Sequence, residues 1–181
     1  MGQNGQADMG NISKNHVKSV EIDISGRVED TSTDTVIVLA NGVNKSLLIS
    51  KKVKRNCLNK LRKCGFIGDT IYLRIYVIAL FCLIKPVISK LGLVVLDEDF
   101  RGKEKGIKEQ LINLFKKYNI KFKEVSFMFK FIGKQSPAHR LAISSLRKRI
   151  ECDSLLTEEE IISEFNLKKR KRLGTAKSRN S

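Results

Sequence analysis

A short apolar segment, residues 93–96, constrains the fold of this chain more than any other feature. Gly92 precedes the segment and Asp97 follows it, so its length suits a strand, and both of its faces are apolar. Strands of this kind are typical of the buried centre of a parallel sheet that helices cover on both faces. The segment therefore predicts an α/β protein.

Three more strands are predicted before this one, at residues 17–25, 35–40 and 45–50. The dipeptide Asn41-Gly42 lies between the last two and is a strong signal for a tight hairpin. We therefore expect the three strands to form an antiparallel meander.

Helical periodicity fills most of the remaining chain. Ser50 and Ser136 are each expected to cap a helix, because a hydroxyl there accepts from a free backbone N–H. The predicted elements are two helices between residues 50 and 86, a helix at 105–118, a strand at 125–132, a helix at 137–149 and a short helix after Thr157. Strand–helix–strand units give parallel neighbours. We therefore expect a mixed five-stranded sheet, three strands antiparallel and two parallel, with helices on both faces.

The composition along the 181 residues predicts one α/β domain with polar ends. Residues 1–16 are rich in Gly, Asn and Gln and are expected to be flexible. Residues 17–150 form the domain, residues 151–167 a short C-terminal helix, and residues 168–181 a basic disordered tail.

Basic residues outnumber acidic ones by 35 to 19, which gives a net charge of +16. Such an excess favours a polyanionic partner, and for a compact domain nucleic acid is favoured over an acidic membrane. The strongest apolar run, residues 75–84, is shorter than the ~20 residues that a membrane span needs. We therefore expect a cytoplasmic protein without a membrane partner, and a lipid-inserted helix at residues 72–84 is the least favoured alternative.

Three polar residues occupy positions that indicate a reactive site. Asp23 lies inside an alternating strand, Asp97 ends the apolar strand, and His139 lies on the inward stripe of a helix. Acids at buried strand ends are costly to keep ionised unless a cation compensates them. We expect Asp23, Asp97 and His139 to be catalytic and to bind Mg²⁺ or Mn²⁺, with Glu98 as an alternative ligand.

Each of these residues also has a structural interpretation. Asp23 could be a surface acid of an amphipathic strand, Asp97 could cap the turn that follows it, and His139 could be a core histidine. Asp99 and Glu104 are weaker candidates for the site. Phosphate contacts are expected from basic residues near the site and in the tail, namely Lys134, Arg140, Lys168, Lys169, Arg170, Lys171 and Arg172.

With this order of elements and these acids, the chain resembles the ribonuclease H-like superfamily, which includes ribonuclease H, RuvC-type Holliday-junction resolvases and integrase cores. The resemblance covers residues 17–150. Asp23 matches the metal-binding acid of the first strand, Asp97 or Glu98 the acid that ends the fourth strand, and His139 the ligand on the last helix. Because residues 51–64 contain no acid, the resolvase-like pattern is the closer match.

The resemblance implies a metal-dependent nuclease that hydrolyses phosphodiester bonds of DNA or RNA, and it allows a homodimer. The alternative is a non-catalytic, basic nucleic-acid-binding protein of the same fold. In that case the tail would carry the affinity and the acids would have no catalytic role.

Overall fold

The computed structural model describes residues 18–122 and 125–165. Its strands are β1 (Lys18–Ser25), β2 (Thr35–Ala40), β3 (Lys45–Ile49), β4 (Leu91–Leu96), β5 (Ser126–Phe129) and β6 (Ser154–Leu155). Its helices are α1 (Lys51–Lys63), α2 (Thr70–Ile84), α3 (Glu104–Lys117), α4 (Pro137–Leu146) and α5 (Glu158–Ser163), with a short 3₁₀ turn at Ile88–Lys90. The N-terminal segment 1–16 and the basic tail 168–181 lie outside the described residues.

The strands form one mixed sheet in the order β5-β4-β1-β2-β3-β6. Strand β2 is antiparallel to both β1 and β3, whereas β4 is parallel to β1 and β5 is parallel to β4. This confirms the predicted α/β class and the mixed sheet.

The predicted number of five strands is wrong, because β6 adds a sixth strand parallel to β3. Strand β6 has two residues, too few to produce a periodic pattern. Side-chain bonds hold it in place instead: Asp153 accepts from the backbone N–H and the hydroxyl of Ser46, both at 2.7 Å. The segment expected to form only a short helix therefore also extends the sheet.

Local signals fix several helix starts. The hydroxyl of Ser50 accepts from the N–H of Val53 at 3.2 Å, and that of Ser136 accepts from Ala138 at 3.0 Å. Both caps confirm the predictions, and α5 begins with a capping box at Thr157. Helix α4 ends at Leu146, a few residues before the predicted end.

The two faces of the sheet are covered differently. Helices α1, α2, α3 and α5 pack on the first face, which we call the apolar face, over strand residues such as Ile22, Ile37 and Leu96. Helix α4 packs on the other face, the α4 face, against β1 and β2. Its core is small and consists of Val36, Val38, Ala40, Ala138 and Ala142.

The α4 face is only partly covered, and this changes the surroundings of β4. Val94 and Leu96 point to the apolar face and are buried, whereas Leu93 and Val95 are only half-buried. The sequence predicted that β4 is buried on both faces. In the structure it is fully buried only on the apolar face. None of the helices in the described ranges combines the length and the apolarity needed to cross a membrane.

Candidate metal centre

Asp23 lies on the α4 face in the middle of the sheet. In the antiparallel register it stands opposite Val38 of β2, and only 3% of its surface is exposed. Its neighbours on β2 are apolar, so the strands give the carboxyl group little solvation. Burial of a carboxylate without compensation is costly, and a residue at this position needs a polar partner.

Asp97 lies beside Asp23 on the adjacent strand. Parallel pairing ends with Ile22 opposite Leu96, and the N–H of Asp97 donates to the carbonyl of Ile22 at 3.1 Å. One oxygen of Asp97 accepts from the N–H of Ile132 at 2.7 Å. The strand register therefore brings Asp97 next to Asp23, and the segment after β5 orients its carboxyl group.

Asp99 completes a group of three acids. One carboxylate oxygen each from Asp23, Asp97 and Asp99 lies within 4.8 Å of the other two. In the described part of the chain this is the only set of three His, Cys, Asp or Glu side chains with that geometry. The acid at the strand end is thus Asp97, and Glu98 lies outside the group. Asp99, a weaker candidate from sequence, belongs to it.

His139 contacts Asp23 directly. Its Nδ1 lies 2.9 Å from Oδ2 of Asp23, and 27% of its side chain is exposed. An ionised carboxylate can only accept, so Nδ1–H is the donor to it and Nε2 remains available on the other side of the ring. Ala138 and Ala142 are fully buried beside His139. These small side chains let α4 approach β1 closely enough for the contact.

A second bond fixes the start of α4 on β1. The hydroxyl of Ser136 donates to Glu21 at 2.7 Å while it accepts the capping bond from Ala138. Glu21 and Asp23 point to the same face of β1 because side chains alternate along a strand. Glu21 and Asp23, which are neighbours on one face of β1, thus both bind the first turn of α4.

The electrostatics of the three acids favour a cation. Burial is the main factor that raises the pKa of Asp23, Asp97 adds to the rise, and His139 opposes it. Asp99 is exposed as a residue, but partial burial of its carboxyl group, with the charges of Asp97 and Asp23, raises the pKa of that group to about 7. No lysine or arginine among the described residues forms an ion pair with these acids. The negative charge is therefore poorly compensated by the protein itself.

The group fits a hard divalent ion in size. Mg²⁺ takes oxygen ligands at ~2.1 Å, so two oxygens on opposite sides of the ion are ~4.2 Å apart. The three carboxylate oxygens lie within 4.8 Å of one another, which is of the same size. Small side-chain rotations would bring the oxygens into contact with one ion, and Asp99, which is exposed, leaves a path to solvent.

Two features near the site have no clear sequence signal. Tyr76 of α2 is 2% exposed and packs on Phe100 with ring centroids 4.6 Å apart. Burial, and then the charges of the acids, raise its pKa, so the phenol keeps its proton. A cleft of about 460 Å³ also opens beside Asp99, between the segment after β1 and the segment after β4, and its lining includes Arg27 and Glu29.

Lys54 fixes the segment after β1. Its ammonium group is fully buried and donates to the carbonyls of Arg27 and Asp30 and, at 2.7 Å, to the hydroxyl of Thr35. Gly26 begins this segment at φ +79°, where a Cβ atom would lie 2.2 Å from a backbone oxygen of the same segment. The segment that forms one wall of the cleft is therefore held by the buried Lys54 and requires glycine at position 26.

The predicted phosphate-binding residues lie in two places. Lys134 and Arg140 are exposed, Lys134 between β5 and α4 and Arg140 on α4 next to His139. The five basic residues at positions 168–172 lie outside the described residues. Glu104, the other weaker candidate, does not belong to the group of three acids. Its side chain accepts from the N–H of Gly102 at 2.8 Å at the start of α3.

Comparisons of this chain with protein-family models, with curated proteins and with solved structures found no match.

Proposed function

We propose that this protein is a metal-dependent nuclease with a ribonuclease H-like fold, which hydrolyses phosphodiester bonds of DNA or RNA. The observation that carries the proposal is the group of Asp23, Asp97 and Asp99, with oxygens within 4.8 Å of one another. These acids come from adjacent parallel strands and the segment that follows one of them. Ligands commonly bind at this edge of α/β sheets.

The fold is consistent with this proposal. Three antiparallel strands are followed by β4 and β5 in alternation with helices, which is the order of elements expected for that superfamily. Asp23 lies within β1, Asp97 directly follows β4, and His139 is on the helix after β5. These are the three places at which the resemblance expects metal-binding residues.

The proposed chemistry divides between the ion and the side chains. A bound Mg²⁺ or Mn²⁺ would neutralise phosphate charge and lower the pKa of a coordinated water. Asp23, Asp97 and Asp99 would hold the ion. His139 would keep Asp23 oriented through Nδ1 and would accept a proton from the attacking water at Nε2.

The charge distribution supports a nucleic-acid substrate. Residues 125–150 contain no acid, and their six basic residues are Lys130, Lys134, Arg140, Arg147, Lys148 and Arg149. This segment borders the acids through the contacts of Ile132 and His139. A basic segment next to a group of acids attracts a phosphate backbone, and a cation can bind between the acids and the phosphate.

The test is cleavage of labelled DNA and RNA oligonucleotides by the full chain with Mg²⁺ or Mn²⁺, compared with Asp23→Asn. Removal of one ligand should cost several kcal/mol of transition-state stabilisation, which is roughly a 10³-fold loss of rate. Asp69→Asn is the matched control, because Asp69 is an exposed acid whose side chain makes no capping bond. Equal cleavage by Asp23→Asn and the parent protein would refute the assignment.

A non-catalytic nucleic-acid-binding protein is the second candidate, and the net charge of +16 favours it. In that case binding would weaken steeply with salt, as expected for phosphate contacts that release counterions. The Asp23→Asn substitution would then leave binding unchanged, and no metal-dependent cleavage would occur with any of the oligonucleotides.

A further inference from the structure

An aromatic ring is exposed beside the candidate metal centre. Phe131 follows β5 and 66% of its surface is accessible to solvent. The next residue, Ile132, is buried and donates its N–H to Asp97 at 2.7 Å. Since that bond fixes the backbone next to Phe131, the ring is attached to the chain at a fixed place beside Asp97.

The residues around Phe131 are cationic and polar. Lys130 precedes it, Lys134 follows three residues later, and both are exposed. The rest of the segment up to α4 is also exposed apart from Ile132 and the half-buried Ser136. A large apolar ring between exposed lysines is suited to a partner that has both anionic groups and flat π surfaces.

We infer that Phe131 stacks on an unpaired base of the nucleic acid while Lys130 and Lys134 contact the neighbouring phosphates. Bases of a continuous duplex are stacked on one another and offer no free face, so a protruding ring can engage only an unpaired or displaced base. The inference rests on the proposed function. It narrows the substrate class to strands with unpaired bases next to the cleaved phosphate, such as single strands, flaps or junctions.

Binding measurements with EDTA present test this inference without cleavage. The probes are a fluorescently labelled single-stranded DNA oligonucleotide and the duplex of the same sequence. Stacking on an aromatic side chain is worth ~1–3 kcal/mol per base, so Phe131→Ala should weaken single-strand binding roughly 5- to 150-fold. Phe131→Tyr should retain binding, and duplex binding should change little.

Leu155→Ala is the matched control for the loss of an exposed apolar side chain. Leu155 is also 66% exposed, but it lies on β6 at the opposite edge of the sheet. The control should bind the single strand as the parent protein does. A single strand carrying 2-aminopurine should also lose fluorescence on binding the parent protein, because stacking quenches this base, and should lose less with Phe131→Ala.

Unchanged single-strand affinity in Phe131→Ala, or an equal loss for single strand and duplex, overturns the inference. A loss of binding to anionic lipid vesicles without a loss for the oligonucleotide overturns it as well.

The cleavage assay separates this result from the proposed function. If Asp23→Asn abolishes cleavage while Phe131→Ala binds normally, only the role of Phe131 is refuted; if no oligonucleotide is cleaved, the nuclease proposal fails while the binding result still stands.

Discussion

The apolar face and the α4 face of the sheet bury different kinds of side chain. Helices on the apolar face contribute large aliphatic and aromatic side chains to the core, including Phe115, Leu80 and Tyr76. On the α4 face one described helix packs Ala138 and Ala142 on three small or medium-sized residues of β2, and the buried Asp23 lies beside them. The first face has the composition of a stabilising core, and the second combines a small core with a buried acid.

Each face also has one buried charged residue, and the two residues have different partners. Lys54, on the side of the apolar face, donates to two carbonyls and one hydroxyl, so its ammonium group is fully satisfied by neutral acceptors. Asp23, on the α4 face, has an imidazole partner but also two neighbouring acids. Neutral acceptors indicate a structural role, whereas the neighbouring like charges of Asp23 are the reason to propose a cation there.

The largest stability effect is expected from truncation on the apolar face. Phe115→Ala should lower the free energy of unfolding by about 3–5 kcal/mol, because Phe115 is fully buried and packs against three other aromatic rings. Phe131→Ala is the control at an exposed ring and should change stability by less than ~0.5 kcal/mol. Urea unfolding measures both. Similar losses in the two variants would show that burial does not distinguish these phenylalanines.

Removal of the buried lysine should have the next largest effect. Lys54→Ala should cost roughly 2–3 kcal/mol in urea unfolding, because its buried acceptors lose their donor. Lys52→Ala removes an exposed lysine from the same helix and should change stability by less than ~0.5 kcal/mol. If the two variants were equally stable, the ammonium group of Lys54 would not be holding the segment after β1.

Asp23 should behave in the opposite way to a core residue. Without divalent ions, Asp23→Asn should be at least as stable as the parent protein, because it removes a charge from a group of acids. With free Mg²⁺ at ~10–100 times its dissociation constant, the parent protein should gain about 1.4–2.7 kcal/mol, and Asp23→Asn should gain much less. Thermal unfolding with and without Mg²⁺ measures this difference. A destabilised variant with an unchanged response to Mg²⁺ would show that Asp23 has a structural role and does not bind the ion.

The smallest effect expected is a dependence of stability on pH, because Asp99 is exposed and solvent screens its interactions. The pKa of Asp99 is raised from 3.8 to about 7 in the folded protein, so the folded state binds a proton more tightly than the unfolded state. That stabilisation is complete below pH 3.8 and is lost as the pH rises towards about 7. In metal-free buffer, Asp99→Asn should therefore lose less stability over this range than the parent protein does. Parallel curves of unfolding temperature against pH would contradict the raised pKa.

The elements were predictable from sequence where the determining interactions are local. Caps at Ser50 and Ser136 and the hairpin at Asn41-Gly42 depend on residues within a few positions of one another, and all are present in the fold. Strand β6 was not predicted, since it depends on a contact between Ser46 and Asp153 across more than a hundred residues. No periodic pattern in two residues could reveal that contact.

The site was predictable in part for the same reason. Asp23, Asp97 and His139 stood out because each interrupts or ends an apolar pattern, and the fold brings them together. Asp99 did not stand out, because its position depends on the conformation of the turn after β4. The roles of Glu21 and Tyr76 also follow only from packing between distant elements.

The sequence by itself determined the order of the helices and of every strand except β6, the caps at Ser50 and Ser136 and the excess of positive charge, because these follow from local hydrogen bonding, side-chain periodicity and composition. The tertiary structure decided which acids meet, which face of β4 stays open and how His139 is oriented. Those outcomes depend on the register between β1 and β4 and on the close approach of α4. Both are set by packing among residues that are far apart in the chain.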